Sequence, residues 1–184
     1  MVLVLTFLAL FLVPNLIVVE KRTKTMDALL ISPASAGQMV LAKAFAGMFY
    51  YLVAVVVILT FNWELVVHVD ILAVAIAGGG LFSIGLGLLL GCIFDRQILV
   101  NATSYALLIG LMAPIFLTLF TSYLPDFIGE LLGLVPTVAF VRLLEFAFSV
   151  GVFLGQTVFS SVVLFLSGVL VWTVLIWREC RKDR

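Results

Sequence analysis

Few side chains here can do chemistry, and the densest group is suited to docking rather than reaction. Glu20, Lys21, Arg22, Lys24 and Asp27 put five charges into eight residues. Met26, Leu29 and Leu30 follow at the i, i+3, i+4 spacing of one apolar helix face. Glu20–Ser35 therefore predicts a short amphipathic helix, apolar on one side and wet on the other. Pro33 closes it, because proline lacks an N–H and disfavours helix at the residue before it. Ser35 opens the next helix, and Gln38 stands at the capping-box distance from it. A helix of this kind presents a surface to a soluble partner; it holds no nucleophile, acid–base pair or metal-ligand set.

The remaining polar residues narrow the chemistry further. His68 is the only histidine, in a loop, where solvation is its expected fate. Cys92 and Cys180 lack CxxC spacing and histidine neighbours, so they indicate neither a metal site nor a disulfide framework. No Ser/His/Asp set and no HExxH string occurs, and no cofactor motif is present. No GxxxxGK[ST] phosphate loop occurs either, so any ATP hydrolysis must belong to another chain. The apolar runs carry no acid or base at mid-depth, which argues against a proton- or ion-coupled carrier. Asn101, Thr103 and Ser104 can touch a passing polar group or bond neighbouring helices; the second is the simpler expectation. The formal net charge of zero points to no nucleic-acid partner.

The elements that position these residues are membrane spans. The 184 residues are 65% hydrophobic and 11% charged. Soluble domains are nearer half apolar and a quarter charged. Apolar runs of 18 residues or more predict transmembrane helices. The expected fold is all-α: one polytopic bundle over 1–184 with five spans, at about 1–19, 38–61, 71–94, 98–120 and 155–177. The first span lacks the positive n-region and cleavage site of a signal peptide. Pro14 is placed to kink it near one end, and Pro114 lies well inside the fourth. Lys43 is close enough to the start of the second span to snorkel. Asn62–Asp70 reads as a short polar loop, and Asp95, Arg96 and Gln97 as a tight turn.

Lysine and arginine mark the cytoplasmic side. Five spans put Lys21, Arg22, Lys24, Lys43, Arg96, Arg178, Arg181, Lys182 and Arg184 on one face and only Arg142 on the other. The amphipathic segment and the C-terminus are thus expected in the cytoplasm, and the N-terminus outside. An odd span count with that orientation points to a further span upstream of Met1.

Two further features are legible. The third span carries Ala75, Gly79, Ser83, Gly87 and Gly91 at a constant four-residue step. Such a stripe lets a second helix approach closely, and close packing drives association inside a membrane. The expected role is packing within one subunit, with a subunit–subunit contact as the alternative. Thr121–Gly151 is too apolar for a plain loop and too broken for a span. Segments of this length are often re-entrant, so a helical hairpin around Pro136 is expected to dip into the outer leaflet. Arg142 and Glu145 lie three apart and can pair on one helix face. The hairpin can lid the bundle or act as an outer gate, with Pro136, Arg142 and Glu145 as the gate candidates.

The string Glu20–Ser35, followed by Leu41-Ala42-Lys43 and Gly47, resembles the coupling segment of type-2 ATP-binding-cassette (ABC-2 type) exporter permeases. The matching positions are Glu20, Lys21, Thr25, Asp27, Leu29, Leu30, Ser32, Pro33, Ser35 and Lys43. Pro136-Thr137 followed by Val141-Arg142 is similar, more loosely, to the family's proline-to-arginine stretch before its final span. The resemblance covers the chain in order and implies a plasma-membrane permease without an ATPase site of its own. Its implied partners are two cytoplasmic cassette ATPase subunits and a second permease, identical or not. The coupling residues would be Glu20, Lys21, Arg22, Thr25, Met26, Asp27, Leu29, Leu30, Ser32 and Pro33, seated in a groove on the ATPase. The family has six spans, and this chain resembles spans two to six; a missing first helix would leave a groove in the bundle.

The rival reading is a non-transporting membrane protein that keeps the fold, such as an assembly or immunity factor or an inactive fragment. An integral membrane enzyme would need a catalytic polar cluster that the sequence does not contain. An apolar path with few polar groups leans towards lipids or other amphiphiles as cargo.

Overall fold

A backbone in hydrocarbon must satisfy its own N–H and C=O groups, and a helix does so within each segment. The computed structural model follows that rule. It describes residues 1–22, 36–118, 120, 126–149, 151 and 153–182, and among these there are helices, turns and no strand. Among the described residues five helices are long and apolar enough to cross a membrane. They are α1 (Val2–Arg22), α2 (Ala36–Asn62), α3 (Val69–Ile93), α4 (Gln97–Thr118) and α7 (Leu154–Lys182). Two shorter helices, α5 (Asp126–Gly133) and α6 (Pro136–Phe148), lie between α4 and α7. The fold is an all-α polytopic bundle.

Several bounds differ from the hydropathy reading. α1 runs unbroken through Pro14 to Arg22, so Glu20, Lys21 and Arg22 are its last residues. Helix geometry continues past the end of the apolar run because intrahelical hydrogen bonds do not require apolar side chains. Residues 23–35, with the rest of the expected amphipathic helix and the Ser35 cap, lie outside the described residues. α2 extends to Asn62 and is followed by a single 3₁₀ turn, Trp63–Leu65, so the polar loop is shorter than its composition suggests. The described residues of 121–151 hold the two short helices α5 and α6 on either side of the turn before Pro136. Pro136 stands at the start of α6, where its missing N–H costs nothing.

α3 is the hub. Its span is 67% buried, whereas those of α2, α4 and α7 are 22%, 17% and 22% buried. It packs most extensively against α1 and α7, then against α6 and α2. The core accordingly runs along α3, through Leu72, Ala75, Phe82, Ile84 and Leu88, with Leu5, Ala9 and Val13 of α1 and Ala139, Phe140 and Leu143 of α6. α2, α4 and α7 turn large apolar side chains outward, among them Phe45, Phe49, Ile109 and Leu170. In water such a surface would aggregate; facing lipid it costs nothing.

Candidate functional site

Position along α3 decides what each small residue meets. Gly78, Gly79 and Gly80 are consecutive, about 100° apart on a helix, and each receives a different neighbour. A methyl group on Gly78 would lie 2.9 Å from Leu164 of α7; on Gly79, 2.6 Å from the ring of Phe140 of α6; on Gly80, 3.1 Å from Tyr51 of α2. Further along, a methyl on Gly87 would stand 2.5 Å from the carbonyl oxygen of Ala9, and one on Gly91 2.8 Å from Ile17. Ala75, Gly79, Ser83, Gly87 and Gly91 are all buried. The stripe thus divides, with Gly79 against α6 and Gly87 and Gly91 against α1. The glycines beside it, Gly78, Gly80 and Gly85, admit α7 and α2. Above Gly85, the Trp172 indole N–H donates to the carbonyl of Leu81 at 3.0 Å.

Polar contacts tie α4 to α1 and α6. Ser104, fully buried, donates to the carbonyl of Leu10 at 2.8 Å. The Gln97 amide donates to Asn15 Oδ1 at 3.0 Å, and Asn15 in turn donates to the carbonyl of Phe11. Asn101 sits one turn above Gln97, and its Oδ1 is buried with no hydrogen-bond partner. The Leu10 carbonyl is the one that Pro14, four residues on and without an N–H, cannot bond within α1, so Ser104 supplies its partner, and Ser104→Ala is expected to cost about 1–3 kcal/mol. Thermal unfolding of the purified protein in detergent checks this; an unchanged midpoint would assign the bond no net value. Asn15 and Gln97 escaped the sequence reading because each stands alone at the edge of an apolar run. Only the crossing of α1 and α4 joins them.

The α5–α6 segment forms a helical hairpin that enters the bundle. Thr137, at the start of α6, donates to the carbonyl of Leu111 at 2.7 Å. From Leu111 to Thr118 α4 rises about 10 Å further, so α6 begins well below the end of α4. At its other end, Ala147 accepts the N–H groups of Val67 and His68, each at 3.0 Å. α6 thus climbs from inside the bundle back to the α2–α3 loop. His68 is held by this contact, half-buried, with its Nε2 enclosed and unpartnered, and is not the solvated loop residue its sequence position suggests.

Of the gate candidates, Pro136 begins α6. Arg142 donates from Nη2 to the carbonyl of Gly129 in α5 at 3.3 Å. Glu145 is exposed and lines a different feature, an apolar cavity of about 530 Å³ with Met112, Ile115, Val141, Leu144 and Phe148. No ion pair joins Arg142 to Glu145 among the described residues. The three-residue spacing permits the pair, but Gly133 opens room on the α5 side and the guanidinium turns there.

Of the expected coupling residues, Glu20, Lys21 and Arg22 close α1. Thr25, Met26, Asp27, Leu29, Leu30, Ser32 and Pro33 lie outside the described residues. Among the described residues no group of histidine, cysteine, aspartate and glutamate side chains converges as metal ligands do.

Residues 1–178 match the family model described as ABC-2 family transporter protein. No curated protein and no solved structure matches the chain.

Proposed function

The chain belongs to the ABC-2 family of transporter proteins, and from that premise we propose that it is the membrane-spanning permease subunit of an ATP-binding-cassette exporter, driven by a separate ATPase chain. It is a multi-pass membrane protein of the permease type. The observation that carries the proposal is the extent of the match, which runs from residue 1 through all five spans and includes 20–35.

In this reading Glu20–Ser35 is the coupling segment, with Met26, Leu29 and Leu30 as the face that sits on the ATPase. Charge asymmetry supports its placement in the cytoplasm, with the α2–α3 loop outside. The segment is continuous with α1, and α1 lies along α3 with backbone almost in contact at Gly87. A push at residues 20–35 would therefore pass to the hub helix and, through Phe140 on Gly79, to the α5–α6 hairpin. Alternating access would follow when ATPase closure tilts α1 and α3 and the hairpin, with Pro136, Arg142 and Glu145, opens on the far side. A second permease subunit would cover part of the exposed faces of α2, α4 and α7.

The test is co-purification of a co-expressed cassette ATPase with this chain. Met26→Glu, Leu29→Glu and Leu30→Glu together are expected to reduce its co-purification at least tenfold while the permease itself still inserts. Normal retention of the ATPase by the triple variant would remove the coupling assignment.

A further inference from the structure

We propose that Arg142 forms a binding site for the anionic head group, phosphate or carboxylate, of an amphiphile in the leaflet on the side of the α2–α3 loop. Depth is the first argument. Ala147 is bonded to the loop through Val67 and His68. From Arg142 to Ala147 α6 rises about 7.5 Å at most. α3 is 25 residues long, about 37 Å, and so exceeds a hydrocarbon core of roughly 30 Å by a few ångströms at each end. Arg142 therefore stands close to the hydrocarbon boundary, within reach of the phosphate layer for a side chain of its length.

The second argument is the count of hydrogen-bond partners. A guanidinium carries five N–H donors and is always charged. Among the described residues Arg142 finds one acceptor, the Gly129 carbonyl at 3.3 Å. No carboxylate pairs with it among the described residues, and Glu145 lines the cavity towards α1 and α4 instead. At the boundary the charge is tolerated because the side chain can snorkel, but guanidinium donors held away from water without acceptors cost free energy that an anionic head group would recover.

Shape is the third. A methyl group on Gly133 would fall 2.7 Å from Arg142 Nη1 and 3.7 Å from the ring of Phe159. The guanidinium end thus lies in a notch left by the missing side chain of Gly133, beside an aromatic wall. Arg142 is half-buried, so the notch is reachable from outside the bundle. A planar fork in this position suits two oxygens of one anion.

The site does not depend on what drives transport, so its failure and the failure of the coupling assignment are separate results. The experiment is native mass spectrometry of the purified full chain with dioleoyl phosphatidylglycerol against dioleoyl phosphatidylcholine. Wild type is expected to prefer phosphatidylglycerol. Arg142→Gln is expected to cut phosphatidylglycerol occupancy at least fivefold with phosphatidylcholine unchanged, and Arg142→Lys to retain part of it. Gly133→Ala fills the notch and is expected to lower the same ratio while the charge remains, which covers failure of Arg142→Gln to fold. Inorganic phosphate separates the sources. If it displaces the lipid in wild type but not in Arg142→Gln, the site also takes a soluble anion; if it does not, the head group must arrive with its lipid. Equal phosphatidylglycerol binding by wild type, Arg142→Gln and Gly133→Ala would overturn the proposal, as would a parallel loss of both lipids.

Discussion

Adding one methyl group at Gly87 is expected to destabilise the protein by about 2 kcal/mol, near the upper part of the range for overpacking a closed interior. The added carbon would stand 2.5 Å from the Ala9 carbonyl oxygen and 3.0 Å from Val13 Cβ. The first atom belongs to backbone and the second is branched directly onto it. Neither can swing away as the end of a flexible side chain can, so α1 must separate from α3. Alanine is better than glycine in a helix by about 1 kcal/mol, and this offsets only part of the cost. Gly110 supplies the control. Nothing lies within 4 Å of a methyl group there, so Gly110→Ala is expected to be neutral or stabilising. Unfolding in detergent, followed by helix content, compares the two. Equal stability of Gly87→Ala and Gly110→Ala would refute the close α1–α3 approach.

A second large effect is expected where α6 meets α3. Phe140 is 2% exposed, and the end of its ring occupies the space that a side chain on Gly79 would need. Phe140→Ala is expected to cost about 3–5 kcal/mol, through lost contact and the cavity left behind. Gly79→Ala is expected to cost about 1–3 kcal/mol by overpacking. The two changes act on one space, so their combination should fall short of the sum by about 1–3 kcal/mol. A double-mutant cycle on unfolding free energy measures this. Additivity within about 0.5 kcal/mol would mean that the ring does not sit on Gly79. This contact joins the hairpin to the hub helix.

Much of the architecture is legible along the chain. Apolar runs longer than a bilayer core name five spans, and prolines and glycines between 121 and 151 mark a segment that is neither span nor loop. The four-residue step of small residues in α3 is visible too. What each of them meets is not: Gly78, Gly79 and Gly80 are identical letters, yet they face α7, α6 and α2. Arg142 shows the same limit. Its spacing allows a bond to Glu145, and the guanidinium turns to Gly129, because Gly133 leaves room on that side. Asn15 and Gln97, isolated in sequence, meet only through the crossing of α1 and α4.

The division has a physical cause. Inside a membrane each backbone polar group must be satisfied within its own segment, so which stretches become helices is settled locally, and composition records it. Side-by-side association has no hydrophobic effect to drive it, since lipid tails are as apolar as leucine. It rests on fit between surfaces brought from distant parts of the chain. By itself the sequence determined the five helices, the string at 20–35 and the asymmetry of charge. Only the tertiary structure decided that α3 is the hub, that Gly87 admits the backbone of α1, and that α6 returns through the bundle to hold the α2–α3 loop.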